Sequence, residues 1–422
     1  MQNDTDMALI VQKYGGTSVA TPELIRRAAA RVVAARRSGD ALLVVVSAMG
    51  HTTDELLELA RSVSPDPVKR HPREVDMLLT TGERVSMALL AMAVRDLGVE
   101  AVSLTGSQAA IITDDAHTVA RIEEIRGGRV REELDAGRVV IVAGFQGVSR
   151  GREITTLGRG GSDTTAVALA VAFRAERCDI YTDVDGVFTA DPRRIPDARL
   201  IRALDYREML ELATSGAQVV HPRAVEMAAR FGVPLRVLSS FRDDTQTGTS
   251  ITNREQSMED MILTGIATDG GFARLSLSGL PAGMHATTEV LRELSLAGIS
   301  VDMVVQADRP DGHRELQLTV REAVLPEARA LCERLTGRLG ADKPRVRAGL
   351  TRIALVGRGM HGRPGVYARA YEALLAGDIE VHALSTSSVS ITLLVDAAQE
   401  DEAVRRLHDA FALGAEPEAN AA

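Results

Sequence analysis

The sequence has 422 residues but no tryptophan, only seven phenylalanines and five tyrosines, so its cores must be built from aliphatic side chains. It also has only two cysteines, Cys178 and Cys332, which lie far apart and each within an apolar segment. Such a pair is typical of reduced thiols in a cytosolic protein. It argues against a disulfide framework and against a cysteine metal site.

Two further absences concern membranes and nucleic acids. No run of about 18 apolar residues occurs and the N-terminus lacks a signal-peptide pattern, so we expect a soluble, cytoplasmic protein without a membrane partner. The 49 basic and 58 acidic side chains give a net charge of −9. Because no basic face with interleaved aromatics accompanies them, a nucleic-acid partner is not expected. The length favours two or three domains.

A glycine-rich stretch at 154–165 reads Ile-Thr-Thr-Leu-Gly-Arg-Gly-Gly-Ser-Asp-Thr-Thr, between an apolar strand and an apolar helix. Glycines let the backbone approach a ligand, and free N–H groups at a helix start favour anions. Arg159 can bind a carboxylate through two parallel hydrogen bonds, with Asp163 as a nearby opposite charge. The pattern predicts an anion site, and a plain turn with Asp163 as helix cap remains the alternative.

Two other apolar strands end in small residues. The strand at 8–13 runs into Tyr14-Gly15-Gly16-Thr17-Ser18 with Lys13 beside the glycines, and a helix follows with Thr21 as cap and Pro22 at its first position. The spacing is not that of a Walker A loop. The strand at 41–47 ends in Ser47-Ala48-Met49-Gly50. Uninterrupted apolar strands indicate a buried parallel sheet, whose ligands bind where the carboxyl ends meet.

Carboxylates follow at two further element ends. Glu83 falls in the first turn of a predicted helix, where it is either a good helix starter or a ligand group. Asp183 and Asp185 follow the strand at 178–182, where they either form turns or face a hydrated cation.

The last third of the chain contains an internal repeat beyond a polar stretch at 242–259. A strand, helix, strand and strand beginning at Arg274 recur about 80 residues later from Arg352. This order predicts two small ferredoxin-like modules.

Together these segments resemble the aspartate kinases, which have an amino acid kinase domain followed by two ACT regulatory modules. The resemblance covers nearly the whole chain and rests on residues 13–18, on 155–163, on Gly82-Glu83 between them and on the repeat. It implies an α/β fold: an amino acid kinase domain at 1–245 with a parallel-rich sheet and helices on both faces, a linker at 246–261, and ACT modules at 262–340 and 348–415.

The resemblance also implies a role for each matching residue. Lys13 would neutralise the transferring phosphoryl group, and Asp163 would organise Lys13 rather than act as general base. Glu83 would bind the α-amino group of L-aspartate and Arg159 its α-carboxylate, with Ser47 and Thr53 lining the cleft. ATP, accompanied by Mg²⁺ without a dedicated protein metal site, would be held by Lys13, Gly15, Gly16, Thr17, Ser18, Thr182, Asp183, Phe188, Arg193 and Gln218.

Two of these positions depart from the family pattern. Phe188 stands where tyrosine is usual, which removes a hydrogen bond worth roughly 0.5–1.5 kcal/mol. Gln218 stands where a lysine commonly points toward the phosphates, so weaker ATP binding is our hypothesis. The adjoining His221-Pro222-Arg223 fits the family, so a decayed, non-catalytic amino-acid sensor is the less favoured alternative.

The regulatory half departs further. Effector-binding positions implied by the resemblance are Gly283, Gln306, Ser385 and Thr386. In the first module, however, Gly279-Leu280-Pro281-Ala282-Gly283-Met284-His285 takes the place of the usual Asp-x-Pro-Gly turn, whereas Arg363-Pro364-Gly365-Val366 keeps the turn in the second. Feedback by lysine or threonine is therefore expected to be weakened or altered. The implied activity is ATP-dependent formation of 4-phospho-L-aspartate, the first step toward lysine, threonine and methionine, with a role in specialised metabolism as the alternative. The assembly would be a homodimer through ACT modules, or would include a short regulatory subunit started at Met258.

Overall fold

The computed structural model describes residues 8–244, 246–253, 263–358, 360 and 365–415. It divides into two compact units: Met1–Phe188 with Leu200–Ser257, and Thr189–Arg199 with Met258–Ala422. Met258, the site of the predicted internal start, lies outside the described residues, as does Arg363-Pro364 in the predicted turn of the second module.

The first unit is built from alternating strands and helices. Its strands are β1 Leu9–Tyr14, β2 Ala41–Val46, β3 Ala101–Leu104, β4 Ile111–Thr113, β5 Ile122–Ile125, β6 Val139–Ala143, β7 Gln146–Ser149, β8 Ile154–Thr156, β9 Arg177–Thr182, β10 Ala203–Asp205, β11 Leu235–Ser239 and β12 Gly248–Thr252. Its helices are α1 Pro22–Arg37, α2 Thr52–Val63, α3 Pro67–Arg70, α4 Pro72–Leu79, α5 Thr81–Asp96, α6 Gly128–Asp135, α7 Gly161–Phe173, α8 Tyr206–Thr214 and α9 Pro222–Phe231.

The main sheet has the strand order β10-β12-β11-β9-β1-β2-β6-β3, and a smaller sheet has the order β5-β4-β7-β8. From β11 to β3 every neighbouring pair in the main sheet is parallel. Residues 42–46 of β2 are fully buried, as expected for a strand covered on both faces. The predicted parallel-rich sheet is confirmed, and the carboxyl ends of β9, β1, β2 and β6 lie side by side.

Helices α1 and α5 pack on one another and on this sheet. Thr21 caps α1 by accepting the N–H of Leu24, and Pro22 occupies the first position, as the sequence predicts. The combined stretch Pro72–Asp96 is apolar and long enough to span a membrane by length and composition alone. Its residues Leu90 and Val94 are fully buried in the core of this unit, as in a core helix of a globular protein.

The predicted linker at 246–261 is wrong for residues 248–252. These residues form β12, which pairs antiparallel with β11 and parallel with β10. Thr249 and Ile251 are buried while Ser250 between them is exposed. The polar composition concealed a strand because its inward positions are threonine and isoleucine in alternation with polar residues.

The second unit contains a six-stranded antiparallel sheet, in the order β14-β15-β13-β16-β18-β17. Its strands are β13 Gly265–Pro281, β14 Met303–Asp308, β15 His313–Arg321, β16 Arg345–Val356, β17 Ala383–Thr386 and β18 Ser390–Asp396. Its helices are α10 Met284–Leu296, α11 Leu325–Leu339, α12 Val366–Leu375 and α13 Glu400–Ala410. The repeat predicted from sequence is confirmed as two modules joined through β13 and β16.

The two modules interleave, in contrast to the predicted succession of 262–340 and 348–415. Residues 272–281 of β13 pair with β15 in the first module, whereas residues 265–269 pair with 352–356 beside β18. One long strand thus serves both modules, which composition alone does not reveal.

A segment predicted to belong to the kinase domain, Thr189–Arg199, belongs to the second unit. Ala190 and Ile195 are part of a buried core with Ile353 and Leu407. The hydroxyl of Thr189 lies 3.0 Å from Nε2 of His408. Short side chains within a polar, turn-rich sequence supply this packing, and no sequence pattern separates this segment from the rest of 1–245.

Candidate active site

Lys13 lies near the carboxyl end of β1, and its ammonium is 2.6 Å from a carboxylate oxygen of Asp163. The two side chains are only 12% and 10% exposed. Asp163 is in the first turn of α7, and its second oxygen accepts the backbone N–H of His221 at 3.1 Å. Three distant segments are therefore joined at one carboxylate.

The turn after β1 packs closely on the turn after β2. The Gly15 N–H donates to the Tyr181 carbonyl at 3.2 Å, and the Gly50 N–H donates to the Gly16 carbonyl at 3.0 Å. A Cβ on Gly16 would lie 3.0 Å from the carbonyl oxygens of Ala48 and Gly50. The glycines thus permit close approach of the two turns at the strand ends.

The side chains beside these glycines differ in orientation. Thr17 is exposed, but Ser18 is 2% exposed, and its hydroxyl bonds to the Tyr181 carbonyl and to the Ser240 hydroxyl. Its N–H donates to the Gly15 carbonyl. The polar groups of Ser18 are thus already bonded inside the protein, and we do not propose a phosphate contact for this residue.

The glycine-rich loop between β8 and α7 takes a conformation that side chains resist. Gly158 and Gly160 have φ values of +74° and +68°, in the left-handed region. A Cβ on Gly160 would lie 1.9 Å from the ring of His221, which caps α9. The loop therefore rests directly on the start of α9.

Arg159 projects from the middle of this loop. Its side chain is exposed, and no hydrogen bond or ion pair involves it within the part of the chain that the structure describes. An exposed guanidinium can bind a carboxylate bidentately.

Glu83 is a buried carboxylate in the first turn of α5. It is 2% exposed, and its Oε1 accepts the Ala48 N–H at 3.2 Å, while its Oε2 has no hydrogen-bond partner among the described residues. Burial raises the pKa of the Glu83 carboxyl from its ordinary 4.5 to about 7. An orphaned, buried carboxylate oxygen is costly unless a ligand donates to it.

Neighbouring residues connect Glu83 with the end of β2. The Ser86 hydroxyl donates to the Ser47 carbonyl at 2.6 Å, and the Ser47 N–H donates to the Tyr14 carbonyl at 3.1 Å. Ser47 and Thr53 are half-buried. The strand ends that carry Lys13 and the helix that carries Glu83 are thus directly linked.

The residues predicted to hold the nucleotide follow β9. The Thr182 hydroxyl donates to the exposed Asp183 carboxylate at 3.2 Å, and Phe188 is half-buried in a bridge with Leu200. Asp185 forms an ion pair with Arg242 at 2.8 Å. Gln218 is exposed.

Arg193 is the one predicted nucleotide residue that lies in the second unit. Its guanidinium pairs with Asp191, with Nη2 2.8 Å from Oδ2.

A buried network that the sequence prediction missed lies behind the loop of Arg159. Asp76 on α4 is fully buried and accepts hydrogen bonds from the Thr156 hydroxyl at 2.6 Å and the Thr118 N–H at 3.1 Å. Nδ1 of His117 lies 2.7 Å from the same carboxylate. Thr156 is the last residue of β8 before the glycine loop. The available signal was an aspartate between the apolar residues Val75 and Leu79.

Arg223 supports the loop from its other side. Its guanidinium donates to the Leu157 carbonyl at 2.7 Å and to the Ala120 carbonyl at 3.3 Å. The backbone immediately before Gly158 is therefore held by side chains from α4 and α9.

The four predicted effector residues fall in two places of the second unit. Gly283 is the N-cap of α10, and Gln306 on β14 accepts a hydrogen bond from Thr287 of the same helix at 3.4 Å. Ser385 and Thr386 lie on β17, at the opposite edge of the six-stranded sheet.

Comparison with known proteins first defines the class. A model of the amino acid kinase family matches residues 8–239, and a model of the ACT domain matches residues 353–411. These are the architectures described above for the two units. The chain is thus a kinase-fold protein with ACT modules, which confirms the fold class predicted from sequence.

Individual relatives narrow this class. An aspartokinase of Mycolicibacterium smegmatis is 47% identical over 416 residues, 98% of each chain. The crystal structure of E. coli aspartokinase III in complex with aspartate and ADP matches with a TM-score of 0.77 at 27% identity, covering 95% of this chain and 99% of that one. The structure of E. coli aspartokinase III in complex with lysine and aspartate matches with a TM-score of 0.72 at 27% identity, covering 95% of this chain and 99% of that one. The chain belongs to the aspartokinase family.

Proposed function

We propose that this protein transfers the γ-phosphate of ATP to the side-chain carboxylate of L-aspartate, giving 4-phospho-L-aspartate and ADP. The observation that carries this assignment is the buried Glu83 Oε2 without a partner, in the unit that presents the Lys13 and Asp163 pair at the ends of the parallel strands. The full-length similarity to aspartokinases supports the same reaction.

The substrate's two backbone charges would be recognised by opposite charges. The ammonium of aspartate would donate to Glu83 Oε2, which supplies the missing hydrogen bond and favours the ionised carboxylate. The exposed guanidinium of Arg159 would bind the α-carboxylate through two N–H groups. Ser47 and Thr53 would line the cleft. This orientation leaves the side-chain carboxylate to face the nucleotide.

The chemical step needs little proton transfer. The side-chain carboxylate is already ionised at neutral pH, so one of its oxygens forms the new bond to the γ-phosphorus as the bond to the leaving ADP oxygen breaks. Lys13 would stabilise the negative charge on the transferring group, and Asp163 holds Lys13 in place. Asp163 would therefore not act as a general base.

The nucleotide is proposed to lie against Gly15, Gly16 and Thr17, with Thr182, Asp183, Phe188 and Gln218 in the same unit. Mg²⁺ would accompany the phosphates and neutralise part of their charge. Asp183, an exposed carboxylate, is an oxygen donor of the kind that Mg²⁺ accepts, whereas Asp185 is paired with Arg242.

The enzyme is proposed to act in the cytoplasm, in the first step toward lysine, threonine and methionine, as a homo-oligomer through its ACT modules. The effector positions of the fold would be Gly283 and Gln306 in one module and Ser385 and Thr386 in the other, with lysine or threonine as the effectors that reach whichever of these sites is open. The altered turn at 280–283 favours weakened feedback, which would suit a role in specialised metabolism.

The test is an initial-rate assay of the full chain with L-aspartate and Mg·ATP, in which hydroxylamine traps the acyl phosphate. Lysine and threonine are added singly and together. Formation of aspartyl hydroxamate is the expected result. If no hydroxamate forms with aspartate but one forms with another amino acid, the substrate assignment is wrong. An enzyme that is inactive on every amino acid would instead support a non-catalytic sensor.

A further inference from the structure

The first ACT module contains a buried cation. Arg314, the second residue of β15, is 6% exposed. Its Nε and Nη2 donate to the two carboxylate oxygens of Asp308 at 2.6 and 3.1 Å, a bidentate pair. Its Nη1 donates to the Gly283 carbonyl at 2.8 Å and to the Thr287 hydroxyl at 3.3 Å. The guanidinium thus joins the end of β14 to the start of α10.

This position coincides with the proposed effector residues of the module. Arg314 bonds directly to Gly283, and Thr287, which it also contacts, donates to Gln306 at 3.4 Å. Arg314 thus contacts Gly283 directly and is linked to Gln306 only through Thr287.

The acceptors that Arg314 occupies are those a free amino acid needs. An amino acid binds through an ammonium, which requires carbonyl, hydroxyl or carboxylate oxygens. Gly283, Thr287 and Asp308 present such oxygens, and Arg314 already donates to all three. The turn at 280–283 adds no carboxylate of its own, because its residues are Leu-Pro-Ala-Gly.

Charge and tethering both favour Arg314 over a free ligand. The guanidinium remains protonated at every physiological pH, so an incoming ammonium would meet a like charge at the same acceptor oxygens. The arginine is also part of the chain, and its effective concentration at these acceptors is on the order of millimolar or higher. A free amino acid must displace it to bind.

We propose that Arg314 is a built-in occupant of the amino-acid site in the first ACT module and prevents lysine or threonine from binding there. The inference rests on the proposed role of Gly283 and Gln306 as effector residues. Arg314 thereby determines which ligands this site accepts: it rejects free amino acids with an ammonium group. Regulation through this module is switched off by a side chain rather than by loss of the site.

The experiment compares the full-length wild type with Arg314→Met, which keeps the aliphatic stem, and Arg314→Thr, which opens the site. Lysine and threonine binding are measured by isothermal titration calorimetry, and inhibition by the hydroxamate assay against each protein's own effector-free rate. Arg309→Met is the matched control, because Arg309 lies on the same hairpin, is exposed and pairs with Glu315.

Wild type and Arg309→Met are expected to show no binding at this module. At least one Arg314 variant should gain affinity for lysine or threonine by roughly tenfold or more, the effect of freeing charge-assisted acceptors. Asp308→Asn, which removes the charge that holds the guanidinium but keeps an acceptor oxygen, should shift affinity in the same direction. Adding Gln306→Ala to the gaining variant should remove the gain and so locate the ligand.

Two results would overturn the inference. One is effector binding to wild type that weakens in the Arg314 variants. The other is absence of any gain in affinity in Arg314 variants whose circular dichroism matches wild type. If neither Arg314 variant folds, Asp308→Asn takes their place in this comparison. Failure of the proposed function is distinguishable from both, because it appears as absent hydroxamate formation by wild type without effectors.

Discussion

The ammonium of Lys13 lies 2.6 Å from the carboxylate of Asp163, and the same carboxylate accepts the N–H of His221. One aspartate thus holds the end of β1, the start of α7 and the start of α9 together. Because their roles differ, we expect substitution of Lys13 and substitution of Asp163 to affect catalysis differently.

Lys13→Met should lower kcat by roughly 100-fold or more, because the charge that stabilises the transferring phosphoryl group is lost. Asp163→Asn should lower kcat less and leave the shape of the kcat pH profile unchanged, since no proton is taken by this carboxylate. The measurement is the pH dependence of steady-state rates, with Lys69→Met, a change at an exposed lysine, as the control. If the fall of kcat at low pH disappeared in Asp163→Asn, Asp163 would instead be a general base.

Glu83 links substrate binding to pH. Because burial raises its pKa to about 7, the free enzyme carries an increasing fraction of neutral Glu83 as the pH falls below that value. The KM for aspartate should therefore rise between pH 8 and pH 6 in wild type, while Glu83→Gln should show a high KM without this dependence. A wild-type KM that stays constant across this range would rule out Glu83 as the ammonium ligand.

The same pKa predicts that Glu83 destabilises the fold above neutral pH. Below pH 4.5 both folded and unfolded chains carry neutral Glu83, and stability is lost as the pH rises from 4.5 through about 7. The loss corresponds to on the order of 3 kcal/mol. Glu83→Gln should thus raise the Tm at pH 8, and exposed Glu100→Gln should not. Equal Tm shifts in the two variants would contradict the assignment.

Arg159→Ala should raise the KM for aspartate far more than the KM for ATP, because only the α-carboxylate loses its partner. Arg150→Ala is the matched control, since Arg150 is exposed on the preceding hairpin and pairs with Glu123. Similar increases of both KM values in Arg159→Ala would remove Arg159 from the substrate site.

Asp76 positions the Arg159 loop through Thr156 and Thr118. In Asp76→Asn one carboxylate oxygen becomes an NH₂ group and can no longer accept, so the strand end before the loop should shift. We expect the KM for aspartate to rise roughly tenfold or more while the KM for ATP changes little. Exposed Glu74→Gln on the same helix is the control. A lower Tm with unchanged KM values would reduce Asp76 to a structural role.

Gln218→Lys should lower the KM for ATP if this exposed position faces the phosphates, because it adds a positive charge. The KM for aspartate is the internal reference. An unchanged KM for ATP would mean that the nucleotide site is complete without a lysine there.

Local sequence determined the features that depend on neighbouring residues. The glycines at 158–161, the cap at Thr21, the strands ending at Lys13 and Ser47, and the repeat in the last third of the chain all follow from short-range preferences and periodicity. These signals, with the family resemblance, identified the fold class and predicted Lys13, Glu83, Arg159 and Asp163 as site residues.

Tertiary structure decided what depends on partners far apart in the chain. Asp76 reads as one more helix residue until Thr156 donates to it, and Gly248–Thr252 reads as a linker until β10 and β11 flank it. Arg314 reads as a surface charge on a strand until the fold brings Asp308 and Gly283 to its guanidinium. A buried polar group is stable only with its hydrogen-bond partners, and only the folded chain specifies which partners those are.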